Sequence, residues 1–376
     1  MEQRLAINNL FLRLLQFAVM AAVLSACSPA EPIRVGFLGG LSGRVADLGI
    51  GGRNGAMLAV ELRNQSGGIG GRQIQLIAQD DQQDPEVAKR AVAQLIEQKV
   101  VAIVGPMTSA MAMVTVPLIN QAQVPMVSPT VTAAALTGLD DYFLRVIAPT
   151  TEYAHKSANF HFTKQGSRRV AAAFDMRNQV YAESWLKDYR VAFEAAGGVV
   201  AAALPFSSSD ETRFTELAQQ LLRSKPDNVL ILANSVDTAL LAQQLRKLDG
   251  AVHISASEWA ATERLIELGG KAVEGIVIAQ FIDRESQQPA YLAFRKAFLE
   301  RFGLEPGFAG LTSFDATNVV LDALAATASN QSLKQAILKR QEFAGAQSMI
   351  RFDESGDSAR AVYQTTIRNG AFVHLH

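Results

Sequence analysis

The 376-residue chain is 19% charged and 49% hydrophobic with a formal net charge of −1, a balance that fits a globular protein and excludes a disordered or fibrous one. Near-neutral charge without a basic stripe removes the electrostatic case for a nucleic-acid partner. A single cysteine rules out a disulfide within one copy, and a prior of roughly 150 residues per domain suggests two domains.

Arg4 and Arg13 precede an apolar run over 14–24 that is too short for a comfortable membrane span and is laid out like an export signal. The following "LSAC", ending at Cys27, resembles the lipobox of bacterial lipoproteins, in which cleavage falls before a lipidated cysteine. That resemblance implies a signal peptide over 1–26, an acylated Cys27 and a tether over 27–32. The mature protein is then expected to be periplasmic or cell-surface, held at a membrane by acyl chains worth roughly 0.8 kcal/mol per buried CH2.

Beyond Pro32, short apolar runs alternate with amphipathic stretches, the pattern of a mainly parallel sheet covered on both faces by helices. Strands are predicted over 33–38, 73–79, 100–105 and 124–128, with helices over 51–64, 85–98 and 109–121. Asp84 and Pro85 suit the N-cap and first position of the second helix. The rhythm restarts with helices over 151–164, 181–195, 210–223 and 236–248 and strands over 169–174, 199–204, 228–233 and 275–280. Two similar α/β halves are expected. Helices over 288–302 and 312–326 and hairpin-like ends at 349–352 and 361–368 follow.

The candidate motifs exclude more than they include. "GFLGGLSG" over 36–43 has Leu38 where a dinucleotide fingerprint needs its second glycine, and "GGIGGR" over 67–72 enters a strand instead of a helix, so it reads as a tight turn. "DDQQD" over 80–84 lacks the glycine and distal glutamate of a calcium loop. His155, His161, His253, His374 and His376 offer no pair on one helix turn, so neither a metal nor a cofactor is expected.

"VGPMTSAMAM", starting at Val104, misses the second glycine of a nucleophile elbow, and no histidine falls in a strand-end loop facing Ser109. A helix start after a strand does leave free N–H groups at the positive end of a dipole, and a serine hydroxyl beside them suits a carboxylate. "VSPTVTAAALT", over 127–137, repeats the theme with Thr130 and Thr132. Two such exits on neighbouring strands face the crevice where open α/β sheets bind ligands. Taken alone, they read equally well as ordinary helix caps.

The run "RVGFLGGLSGRVADLGIGGRNGAMLAVELRNQSGGIGGRQIQLIAQDDQQDP", with "VVAIVGPMTSA" and "VPMVSPTVTAAALT", resembles the solute-binding proteins of ABC importers for branched-chain amino acids, the Leu/Ile/Val-binding family. The resemblance is dense from Ile33 to about Val146 and collinear to near Tyr363. It implies a type I periplasmic-binding-protein fold, two doubly wound α/β lobes joined by a three-crossing hinge. Lobe 1 would hold 33–150 plus about 283–350, and lobe 2 would hold 151–282 plus about 351–376. It further implies a monomer without catalysis that closes on an amino acid and docks on a membrane permease. The same fold capturing amides, urea or aromatic carboxylates as a sensor is the alternative.

Residue by residue, the resemblance implies that Ser109 and Thr132 each offer a hydroxyl and an N–H to the ligand carboxylate, and that the Thr130 carbonyl accepts from the ammonium. On the second lobe it implies Glu258 at the ammonium, with Ser257 the other candidate one position away, and Tyr181 at a helix start. Departures from the family pattern are Leu48 and Ser235 where aromatic residues are common. The family's small disulfide is absent, with Gln83 and Thr108 near its usual positions. Trp259 and Phe308 are expected either to line the altered pocket or to pack in the core.

Overall fold

The structure is a computed structural model that describes residues 30–327 and 331–375, so Cys27 and the leader lie outside the described residues. One sheet contains β1 (Ile33–Gly39), β2 (Ile74–Asp80), β3 (Ile103–Val104), β4 (Met126–Ser128) and β5 (Phe143–Arg145), all parallel in the order β2-β1-β3-β4-β5. Its order reverses between β1 and β3, the place where open α/β sheets leave a crevice beyond their strand ends. The central β1 is almost wholly buried, as a parallel strand covered on both faces must be.

The second sheet contains β6 (Arg169–Asp175), β7 (Val199–Phe206), β8 (Asn228–Leu232), β9 (His253–Ala256), β10 (Val277–Gln280), β13 (Tyr363–Arg368) and β14 (Ala371–His374). Its order is β14-β13-β10-β9-β8-β6-β7, with β13 antiparallel to β10 and to β14, and its switch falls between β6 and β8. A separate hairpin pairs β11 (Glu342–Ala344) with β12 (Met349–Arg351). The expected end at 349–352 is thus a small sheet of its own.

Helices α1 (Ala46–Gln65), α2 (Pro85–Glu97) and α3 (Ser109–Ala122) belong to the first lobe. Helices α4 (Thr150–Thr163), α5 (Gln179–Ala195), α6 (Phe214–Arg223), α7 (Ser235–Leu248) and α8 (Glu263–Gly269) belong to the second. The chain then returns to the first lobe with α9 (Pro289–Phe302), α10 (Phe308–Ala326) and α11 (Leu333–Arg340), α10 packing along α1. That packing is close because both helices lack side chains at the contact: a Cβ on Gly55 would fall 2.0 Å from the Gly310 carbonyl oxygen.

The chain passes between the lobes at 146–149, 281–288 and 352–362. The first and third passages are fastened together by Arg145, fully buried at the end of β5. It donates from Nε to Asp357 Oδ1 at 2.6 Å, from Nη1 to the Ala133 carbonyl at 3.2 Å and from Nη2 to Thr137 Oγ1 at 2.6 Å.

Asp84 caps α2 as expected, accepting from Glu86 and Val87 N–H at 2.9 Å. Helix α1 starts at Ala46, five residues before the predicted start at 51, so Leu48 lies in its first turn and not in a loop. Glycines 49, 51 and 52 lower helix propensity, which misplaced the boundary, yet Gly49 is required there. A Cβ on it would meet the Gly40 carbonyl oxygen at 2.0 Å. Helix α6 begins at Phe214 instead of 210, because Thr212 closes a turn with Ser209. Among the described residues no helix is long and apolar enough to cross a membrane.

Candidate functional site

The two switch points face one another, and the strand-exit turns of both lobes meet there. After β3, Gly105 has φ +120°, and a Cβ would lie 2.2 Å from the Leu38 carbonyl oxygen, so the bend into α3 admits only glycine. Thr108 occupies the N-cap in extended conformation without a side-chain capping bond, and its buried hydroxyl has no partner among the described residues. The first bond of the helix ladder runs from Ala112 N–H to the Thr108 carbonyl at 3.1 Å, leaving the N–H groups of Ser109, Ala110 and Met111 outside it. Ala110 N–H reaches across the cleft to Asn178 Oδ1 at 2.9 Å.

Ser109 is buried, and its Oγ accepts from Ala133 N–H at 3.3 Å. Thr130 Oγ1 donates to the Met107 carbonyl at 2.7 Å, which ties the turn after β4 to the turn after β3. Thr132 is buried beside them with its hydroxyl unpartnered among the described residues, while its carbonyl accepts from Thr150 N–H at the end of the first interlobe passage.

Across the cleft, Glu258 opens a 3-10 turn after β9. Its Oε1 accepts from Tyr181 Oη at 2.9 Å and its Oε2 from Trp185 Nε1 at 3.0 Å. Among the described residues no cation pairs with it. Burial pushes its carboxyl up to about 7, while backbone, Trp185 and Tyr181 hydrogen bonds pull the other way without prevailing.

These groups surround a narrow cavity of about 20 Å3, room for about one water with the lobes in contact. Thr108, Ser109, Thr130, Asn178, Tyr181 and Glu258 supply its polar wall, and Leu48, Met107, Ile147, Trp259, Phe281 and Phe308 its apolar wall. Ser109, Thr130, Tyr181, Glu258 and Leu48 therefore come together, and Glu258 rather than Ser257 faces the cavity. Thr132 is not in the wall itself. Trp259 and Phe308 satisfy both expectations, lining the cavity while staying buried in the core. Ser235 does not line it; its hydroxyl donates to Asp47 Oδ2 at 2.6 Å across the lobes.

Sequence reasoning missed Asn178, Trp185, Ile147 and Phe281. Trp185 was within reach, since it lies four residues after Tyr181 and so shares its helix face. Asn178 carries no such signal, because its partner is 68 residues away. Among the described residues no histidine lines the cavity. His161 is buried on α4 with Nδ1 2.9 Å from Tyr189 Oη, and burial lowers its imidazole to about 3. The arrangement offers hydroxyl and N–H donors from one lobe, a carboxylate from the other and an apolar space between.

Two doubly wound lobes, three linking passages and a polar cavity between strand ends define a two-lobed solute-binding architecture. The profile of the periplasmic binding protein family matches residues 32–371, and the chain belongs to that family. Its relatives include the leucine-, isoleucine-, valine-, threonine- and alanine-binding protein of Pseudomonas aeruginosa, 24% identical over 348 residues and 92% of each chain. The structure of a leucine-binding protein from Thermotoga maritima superposes with a TM-score of 0.85 at 26% identity, covering 92% of this chain and 98% of that one. A Rhodopseudomonas palustris solute-binding protein in complex with benzoate shares the fold, with a TM-score of 0.83 at 19% identity over 92% of this chain and 95% of that one. Family membership implies a location outside the cytoplasm.

Proposed function

We propose that the protein captures a small aliphatic amino acid, branched-chain or related, and delivers it to the permease of an ABC importer. The observation that carries this reading is the buried Glu258 carboxylate, without a cationic partner among the described residues, facing the donor-rich start of α3 across one small cavity that the lobes must part to fill. A zwitterion matches both walls. Its carboxylate takes Ser109 and the Thr132 turn, its ammonium takes Glu258 and the Thr130 carbonyl, and its side chain lies against Leu48, Ile147, Trp259, Phe281 and Phe308. Burying both ligand charges is tolerable because each meets several hydrogen-bond partners.

Capture proceeds by hinge closure: the unliganded protein exchanges between open and closed forms, the first lobe of the open form takes the ligand, and Tyr181 and Glu258 then arrive over it. No step of this cycle uses catalysis. The mature protein begins at an acylated Cys27, is anchored through it and acts as a monomer, with lobe 1 formed by 33–150 and about 283–350 and lobe 2 by 151–282 and about 351–376.

Ser109→Ala and Thr132→Ala should each weaken amino-acid binding by roughly 1.5 to 3 kcal/mol, the range for hydrogen bonds to charged groups. Calorimetric titration reads this directly, and unchanged affinity in both variants would remove the carboxylate assignment. A thermal-shift screen across amino acids, amides and aromatic acids identifies the ligand, since a ligand well above its Kd raises the melting point.

A further inference from the structure

We infer that Asn178 is a positioning residue that caps the ligand-binding helix from the opposite lobe, so that the anion site takes its final form only when the cleft is shut. The inference rests on α3 being the carboxylate site. Thr108, the residue at the N-cap, makes no side-chain bond to the helix it starts. The missing acceptor is supplied by Asn178 Oδ1, which takes Ala110 N–H at 2.9 Å from a residue that is 3% exposed and lines the cavity. A side-chain acceptor at a helix start is ordinarily local; here its carrier belongs to the other lobe.

The mount of Asn178 is firm. It ends a 3-10 turn, Met176–Asn178, whose preceding residue Asp175 is fully buried and accepts from Arg177 N–H at 3.0 Å and Ser208 N–H at 3.1 Å. The same turn touches the first lobe a second time, where Arg177 Nη2 donates to the Gln83 carbonyl at 3.2 Å. Opening the cleft must break both contacts and return Ala110 N–H to water.

A chemical consequence follows for the ligand. With Ala110 N–H committed to Asn178, the helix start retains fewer donors for a bound anion. A planar carboxylate with two oxygens is served by Ser109 and the Thr132 turn. A tetrahedral anion with three oxygens finds one donor fewer, so Asn178 selects for carboxylates against phosphonates.

The test compares wild type with Asn178→Ala and Asn178→Asp by solution scattering without ligand, by stopped-flow dissociation of leucine and by affinity for the phosphonate analogue of leucine. Asn178→Ala should raise the radius of gyration, speed dissociation about fivefold and shift the affinity ratio toward the phosphonate. Asn178→Asp keeps an acceptor for Ala110 N–H, so it should stay compact while repelling the ligand carboxylate and binding leucine more weakly. Unchanged scattering and dissociation in Asn178→Ala would overturn the inference. If that variant folds poorly, Asn178→Asp decides: wild-type affinity for leucine, or an expanded unliganded form, would overturn it. Should wild type bind no amino acid, the carboxylate reading fails on its own, and the scattering of the unliganded variants still decides whether Asn178 closes the cleft.

Discussion

Glu258 is the residue on which the chemistry of the site turns. A carboxyl group that burial raises from 4.5 to about 7 binds a proton in the folded state over a range where the unfolded chain has released it. Its contribution to stability therefore falls as pH rises from about 4.5 to about 7 and is flat above that. Glu258→Gln removes the penalty while keeping an acceptor for Trp185 and a donor for Tyr181, so its melting point at pH 8 should exceed that of wild type. Its amino-acid affinity should fall at least tenfold, as truncating a buried charge partner does. An ammonium needs the ionised form, so wild-type affinity should weaken below about pH 7 by up to roughly tenfold per pH unit, with proton release on binding. Calorimetry in buffers of different ionisation enthalpy reads that proton; affinity independent of pH between 5 and 8 would detach Glu258 from the ligand.

At the scale of elements, the start of α1 does more than carry Leu48 into the cavity. Arg44 Nη1 donates to Asp237 Oδ1 at 2.7 Å and its Nη2 to Asp210 Oδ1 at 2.8 Å, both on the second lobe. Three residues later, Asp47 accepts from the Ser235 and Thr262 hydroxyls. All four bonds join the lobes, so opening breaks them whatever the ligand is. Asp237 is fully buried, which makes its pair with Arg44 the one that matters, whereas Asp210 is wholly exposed and adds little. Arg44→Met should speed ligand dissociation by about tenfold and leave the association rate nearly unchanged, because loss of a desolvated charge partner acts on the off-rate. An unaltered dissociation rate in stopped-flow would show that the start of α1 plays no part in closure.

This stretch also shows what local sequence can and cannot convey. Alternating apolar runs located most of the β units but not the three- and four-residue strands β5 and β9, and the proline and aspartate at α2 marked its start, because those signals act over a few residues. The start of α1 was misplaced because its glycines answer to Gly40, Gly310 and Met107, which are near in space and remote or turned away in sequence. Ser235, noted only as a missing aromatic, proved to be part of an interlobe contact 188 residues long.

For the whole molecule, the doubly wound pattern was legible as rhythm, while the way the lobes are joined was not. Arg145 reads as an ordinary strand end, yet it fastens the turn bearing Thr132 to Asp357, 212 residues away. No periodicity reports such a bond. Asp357→Asn keeps the acceptor but removes the charge facing a fully buried guanidinium, so it should lower the melting point by several degrees. Thermal denaturation followed by circular dichroism checks this, and a melting point equal to wild type would show that the passages are not held together by that pair.

The two-walled site is tested most directly by one calorimetric comparison: L-leucine against 4-methylpentanoate, which has its carboxylate and side chain but no ammonium, at pH 8. Leucine should bind and 4-methylpentanoate should bind at least a hundredfold more weakly, since it leaves the ionised, buried Glu258 without a counter-charge. Equal or tighter binding of 4-methylpentanoate would contradict the assignment of Glu258 to a ligand ammonium and with it the capture of amino acids.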